Sequence, residues 1–440
     1  NTMLVRTLIL GGGLSGITLA HLLRRRGQQV TVLEAEERIG GLCRSRTENG
    51  FTFDTGGSHI IFSRDTEVLE FMQNVLSSNR EKRTRNTRIM YRDILVKYPF
   101  ENGLASLPKD DLFFCINEFI KTYVKSEKGE IPPPANFAEW IYATFGKGIA
   151  DLYMIPYNEK IWNYPPASMS AHWVEGRVPR PPVEDVIRSA IGIETEGYTH
   201  QSVFTYPAEG GIEALVASIA SGIEDCIVTG FPVRSLAFRD GAWEASDGKR
   251  TSRGDRVIST IPLPHLMPCL DDVPVRVQEA IRALRYNSVC CVQVGIRGTV
   301  PDISWLYIPD REQSLANRIS FPSNFSSHVA PAGHAGILAE ITYNEGDEVS
   351  RMTDSDLVSH VIKSLERMGF LTPEQVVHTA VDHQKFAYVV YDLAYPENIR
   401  IIREFFQAKG ITLVGRFSRF EYLNMDGCIR QAMECVRNWS

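Results

Sequence analysis

The chain has 440 residues, 43% of them hydrophobic and 23% charged, with 47 Lys and Arg against 53 Asp and Glu for a formal charge of −6. That length favours two or three domains around an extensive core, and it excludes a small disulfide scaffold or a disordered chain. The acidic total argues against broad attraction to nucleic acid or to anionic lipid, so an anionic substrate would have to be met by a local cluster of Arg or Lys.

The first predicted elements form a β-α-β unit. An apolar run at 4–10 leads into a glycine-rich turn, an apolar helical pattern at 14–23, and a second run at 29–33 that ends in Glu34. Residues 7–23 carry no formal charge, but four glycines interrupt them, so no transmembrane or targeting segment is expected. Helical spacing follows over 65–119, interrupted by a strand pair at 88–98. Residues 110–190 read as mainly helical, with breaks at 132–134, 165–166 and 179–182. A mixed stretch at 203–262 closes on a strand. The β-branched and aromatic runs at 288–295, 305–308 and 336–342 then predict an antiparallel sheet. The chain finishes with a strand at 411–415 and a helix at 426–436, for which Asp426 is the expected N-cap. Eight dispersed cysteines without a C-x-x-C pair point to a reducing, cytoplasmic setting and to neither a metal site nor a disulfide framework.

Gly11-Gly12-Gly13-Leu14-Ser15-Gly16 supplies G-x-G-x-x-G between the first strand and the helix. Gly11 permits the tight turn, Gly13 lets backbone approach a pyrophosphate, and Gly16 allows close helix packing, while the helix N-terminus attracts negative charge. Glu34, at the end of the second strand, can bind ribose hydroxyls. The segment from Glu34 and Ala35 through Gly40-Gly41-Leu42-Cys43-Arg44-Ser45 resembles the fingerprint of FAD proteins of the amine oxidase and protoporphyrinogen oxidase clan. The resemblance implies FAD, held non-covalently, with Gly40, Gly41 and Arg44 along its pyrophosphate.

Further on the chain resembles the UDP-galactopyranose mutase family. The matching pieces are Gly56-Gly57-Ser58-His59, Tyr98-Pro99-Phe100-Glu101-Asn102, Pro156-Tyr157-Asn158-Glu159-Lys160-Ile161-Trp162, Arg177, Trp305-Leu306-Tyr307, Arg318, Ala394-Tyr395-Pro396, and Gly415-Arg416 with Tyr422-Leu423-Asn424-Met425-Asp426. The implied fold is α/β: a Rossmann-like FAD-binding domain (1–66, 203–264 and 386–440) with an inserted helical domain (67–202) and an inserted antiparallel sheet domain (265–385). The implied site places His59, Arg177, Arg318 and Arg416 at the chemistry, and Tyr98, Glu101, Asn158, Trp162, Tyr307, Tyr395 and Tyr422 with Arg177 and Arg318 on the substrate. Gly57, Ser58, Val233, Gly415, Arg416, Asn424, Met425 and Asp426 complete the cofactor set. Glu101 and Gln201 stand where the family has Gln and Asn, a departure that bears on the choice of base.

The reaction so implied is attack of N5 of reduced FAD on the anomeric carbon, ring opening, and reclosure between pyranose and furanose forms with no net redox change. Its partners would be a UDP-sugar, most readily UDP-galactose, and an electron donor such as NAD(P)H or a reductase; a homo-oligomer is left open. A flavin oxidase or desaturase of the same clan fits the N-terminal half equally well, and a non-catalytic flavin- or nucleotide-binding regulator is a rival of another class. Packed-core readings of His59 and Trp162, and a plain helix cap at Asp426, also stay open.

Overall fold

The computed structural model describes residues 5–174, 178, 180–195 and 203–439. Its first unit is the expected one: β1 (Arg6–Leu10), α1 (Leu14–Arg25) and β2 (Gln29–Leu33). β1 lies at the centre of a five-stranded, wholly parallel sheet in the order Ile411–Leu413, Arg256–Ser259, β1, β2, Ile227–Val228. Both faces of this sheet are covered, which is why β1 reads as an unbroken apolar run instead of alternating. Ile9 packs with Leu19, Leu23 and Ile429 on one face, while Leu8 and Leu10 meet Phe231, Trp243 and Phe406 on the other.

A seven-stranded sheet stands apart from the first, in the order Val376–Val390, Arg285–Arg297, His334–Tyr343, Arg318–Ser320, Trp305–Tyr307, Thr87–Tyr91, Ile94–Lys97. All but one of its pairings are antiparallel; Trp305–Tyr307 runs parallel to Thr87–Tyr91. The hairpin expected near 88–98 thus joins the sheet formed by later strands and is not a feature of the helical stretch around it. The helices Lys109–Glu127, Phe137–Ile149 and Ile155–Trp162 enclose their own core of Phe100, Phe119, Ile141, Phe145 and Trp162. None of the described helices is long and apolar enough to cross a membrane.

The final helix, Met425–Arg437, lies against α1 and is bound to the helix Thr66–Leu76 by charge. Asp65 caps that helix through Val68 N and pairs with Arg430 at 2.6 and 2.7 Å. The expected N-cap at Asp426 is corrected: the cap position is Asn424, and Asp426 sits in the first turn. There Asp426 accepts from Ser63 Oγ at 2.8 Å and from Gly427 N at 2.9 Å, so its carboxylate serves a tertiary contact before a helix end.

Candidate active site

The glycine loop between β1 and α1 leaves no room for a side chain at Gly11 or Gly16. A Cβ at Gly16 would run into the carbonyl oxygen of Gly11, and Gly11 itself has φ of 99°. No side chain caps α1, so the N–H groups of its first turn are open to an anion. Glu34 stands beside them, buried, accepting from Gly12 N at 2.7 Å and from Glu36 N at 2.9 Å, with lone pairs left for further donors. Gly40 and Gly41, at φ of 124° and 54°, bring the next loop against Gly13. Gly415 faces Ser15, whose hydroxyl also reaches Cys428 in the first turn of the final helix. Two uncapped helix N-termini therefore meet at one place.

Several residues expected in the cofactor set face elsewhere. Arg44 folds back onto the carbonyl oxygens of Ile39 and Arg38 in its own loop. Ser45 donates to Asp54 Oδ1 at 2.8 Å, and Asp54 also accepts from Tyr206 and Ile212, a buried cluster that joins the loop to the helix Glu213–Ala220. Burial raises the Asp54 carboxyl to about 6 against these hydrogen bonds. Val233 packs among the apolar residues behind Glu34.

On the substrate side, the helix Ile155–Trp162 begins with Pro156 in its first turn and ends at Asn163 in a left-handed conformation. Its last carbonyls are met by Asn287 from the seven-stranded sheet, at 2.8 and 3.2 Å. Lys160, almost fully buried, donates to the carbonyl oxygens of Ile308, Ser314 and Ala316, each at 2.7 Å, and so ties the helix to the loop after the Tyr307 strand. Burial lowers its pKa, yet three carbonyl acceptors are served in full only by the ammonium form. Asn158 spends its amide inside the helix, donating to Met154 O and accepting from Trp162 Nε1 at 2.9 Å. It positions the indole and does not offer an open edge.

Trp162 packs edge-on against Trp173, Tyr388 and Tyr422, with centroids at 5.4, 5.6 and 5.6 Å. The Arg416 guanidinium lies 5.2 Å from the Tyr388 ring and 5.1 Å from the Tyr422 ring. It donates to Leu423 O at 2.9 Å and Ala387 O at 2.7 Å; its buried Nε has no partner, and no carboxylate among the described residues is paired with it. Arg318 differs. It is held by Glu340 at 2.6 and 2.8 Å and reaches Ser58 O at 3.2 Å. Tyr388 stands between the two arginines and feels both charges.

His59 is close to both as well. Burial, with the charges of Arg318 and Arg416 adding to it, lowers its pKa to about 4, so the ring is neutral near pH 7. Nδ1 lies 2.7 Å from Gly57 O, which assigns the proton to Nδ1 and leaves Nε2 an acceptor. Tyr98 and Tyr307 form a neighbouring pair, 5.3 Å between centroids. The structure thus brings together His59, Arg318, Arg416, Trp162 and Tyr422, with Tyr98, Glu101 and Tyr307 adjoining. It does not bring in Tyr395, whose hydroxyl donates to Phe420 O and whose ring packs on Tyr391. Arg177 and Gln201 lie outside the described residues. The sequence reading missed Glu340, Tyr388 and Trp173. A lone carboxylate in the apolar strand around residue 340 was the available signal for the first; the two rings carried none.

The pattern of a protein family, flavin-containing amine oxidoreductase, matches residues 14–438. The chain belongs to this family. Its cofactor is FAD. The crystal structure of a reduced UDP-galactopyranose mutase superposes with a TM-score of 0.89 at 26% identity, covering 98% of this chain and 94% of that one. A putative protoporphyrinogen oxidase from Exiguobacterium sp. 255-15 superposes at 0.75 with 19% identity and 98% of both chains, a likeness of fold alone. In sequence, the UDP-galactopyranose mutase of Mycoplasma genitalium is 26% identical over 166 residues, 36% of this chain and 40% of that protein. The shared segments span 8%, 17% and 31% of three other curated relatives, so sequence likeness to each is partial.

The residues present fit FAD. The open first turn of α1 could take a pyrophosphate, Glu34 has lone pairs for ribose hydroxyls, and the glycines at 11, 16 and 41 let the backbone pack closely enough to form the tight loop that a dinucleotide requires.

Proposed function

We propose that the protein is a flavin-dependent mutase that interconverts pyranose and furanose forms of a nucleotide sugar, UDP-galactose foremost, with FAD held non-covalently. The observation that carries this reading is Arg416, a guanidinium set among the rings of Tyr388, Tyr422 and Phe417 with no carboxylate among the described residues paired to it. A cation left without a counter-ion in a half-buried aromatic setting favours an anionic ligand, and a planar fork suits a diphosphate. An oxidase of amines or apolar substrates has no use for it. Likeness to a UDP-galactopyranose mutase over nearly the whole chain supports the same reading.

When bound and reduced, FAD supplies a nucleophile for the anomeric carbon, with no net redox change. Arg416, joined by the remaining N–H groups of Arg318, stabilises the charge that builds on the departing diphosphate. Trp162 and Tyr388 offer ring faces to the sugar, and the crowded aromatic wall excludes water from the reacting carbon. Neutral His59 offers Nε2 as a hydrogen-bond acceptor for a sugar or cofactor N–H or O–H. The electron donor in this reading is a reduced nicotinamide or a reductase, and the setting is the cytoplasm.

The test is chromatography of nucleotide sugars incubated with dithionite-reduced and with oxidised protein. Reduced protein is expected to equilibrate UDP-galactopyranose with its furanose isomer, and oxidised protein to leave it unchanged. Oxygen consumption with an amine or another substrate, and no furanose from any nucleotide sugar, would replace this reading by the oxidase one.

A further inference from the structure

The 19-residue helix Lys109–Glu127 has two apolar faces. One belongs to the core, where Cys115 and Phe119 are buried with Ile141 and Phe145 of the helix Phe137–Ile149. The two helices meet there almost backbone to backbone: a Cβ at Gly146 or Gly148 would lie 2.7 or 2.6 Å from the main chain of Glu118 or Cys115. The other face looks away from this contact. Phe113, Ile120 and Val124 recur at helical spacing and are 65%, 41% and 43% exposed, with the partly exposed Ile116 and Asn117 between them. A continuous apolar stripe over three turns, on a helix already packed along its opposite side, marks a surface that another molecule covers.

The charges at the two ends of the stripe indicate which molecule. At about 100° per residue, Lys109 and Glu127 flank the stripe on one side, and Asp110 and Lys128 on the other. All four are exposed, and none has an ion-pair partner among the described residues. Asp111, by contrast, is taken by Tyr91 and Arg92, and Lys121 by Glu118. A two-fold axis through the middle of the stripe reverses the helix and sets each flank against itself. Lys109 then meets Glu127 of the second copy, and Asp110 meets Lys128 of the second copy, each twice. Phe113 falls opposite Val124, and the two Asn117 amides, within a turn of one another on the same flank, can answer each other. Helices pointing the same way would place one acidic first turn beside the other and align the two helix dipoles, which is the less favourable arrangement.

We propose that the helix Lys109–Glu127 is a self-association surface on which a second copy of this chain docks antiparallel, with the apolar stripe supplying the attraction and the four end charges fixing the register. Nothing in this pairing depends on the reaction assigned above. A contact of three turns is small beside a standard interface, so the dimer is expected to be reversible, with a Kd on the order of micromolar.

The experiment is sedimentation velocity of the FAD-loaded protein from about 0.5 to about 100 µM, a range that brackets such a Kd. The average mass is expected to climb from monomer to dimer. Ile120→Glu should raise the Kd about tenfold or more, since the change enters the interface twice. Asp110→Lys should raise it about three- to tenfold, and adding Lys128→Asp should bring it back. These positions are exposed, so flavin content and melting temperature should stay at wild-type values in all three variants. A monomer at every concentration overturns the inference, including one that binds lipid vesicles through the stripe. So does a dimer indifferent to Ile120→Glu, which would be held by another surface. A dimer that Lys128→Asp fails to restore, or that Lys109→Asp restores in its place, overturns the antiparallel register.

Discussion

An alanine methyl at Gly16 would meet the Gly11 carbonyl oxygen, and the loop could relieve that contact only by moving away from the position a pyrophosphate needs. Gly16→Ala is therefore expected to purify with most of its flavin lost, read as flavin absorbance per mole of protein. Tyr206→Phe tests a different buried group. Asp54 Oδ2 accepts from that hydroxyl at 2.9 Å, and its loss should cost about 1–3 kcal/mol in denaturant unfolding. The Asp54 carboxyl, at about 6 when folded, lies above its unfolded value. Between about pH 4 and pH 6 the folded state thus binds the extra proton, and stability falls as pH rises through that window. Asp54→Asn should flatten this slope in the pH dependence of the unfolding midpoint. Residues of this kind divide by legibility. Arg318, Arg416 and Trp162 stood out because the segments around them resemble those of a known family. Asp54 sat in a quoted motif, but the donors that define it come from residues 45, 206 and 212, and no local pattern joins these.

The contact between the helix Thr66–Leu76 and the final helix joins apolar packing to ion pairs of Asp65 and Glu67, and Asp65 both caps one helix and pairs with Arg430 of the other. Arg430 also holds the Asp65 carboxyl below the ordinary range. Asp65→Ala should lower stability by about 1–2 kcal/mol, and the part due to the ion pair should vanish as the wild-type protein is acidified through the depressed carboxyl pKa. Helices and strands with strong periodicity were readable in outline, including β1, α1, β2 and the hairpin near residue 90. Their ends were less so. Asp426 had the right chemistry for a cap, but Ser63 takes its side chain, and the chain turns into the helix two residues earlier at Asn424. A cap depends on where the preceding loop arrives, and Gly415 backed against Ser15 sets that arrival from another part of the molecule.

Across the whole chain, a dinucleotide held by the open turn of α1 and Glu34 would sit where β1, β2 and the final helix meet, so removal of FAD should loosen elements from both ends of the described chain together. Stripped protein is expected to melt several degrees below the holoprotein, since a ligand at hundreds of times its Kd contributes about 3–4 kcal/mol, and scanning calorimetry of the two forms checks it. The α/β class was legible from the order of elements, because a glycine loop between strand and helix is a local event. The parallel seam between Trp305–Tyr307 and Thr87–Tyr91 was not, because pairing over such a separation leaves no trace in either segment. The strand order of the parallel sheet also bears on synthesis. β1 leaves the ribosome well before one of its hydrogen-bonded neighbours, Arg256–Ser259, and before the strand beyond that, Ile411–Leu413. Such long-range closure is slow, and a nascent chain holding β1 and β2 exposes two bare apolar faces until most of the polypeptide has emerged. The nucleotide-binding unit, begun at β1, is thus completed only when residues 411–413 have emerged, and translation arrested before residue 411 should yield a chain that chaperones retain and proteases clear.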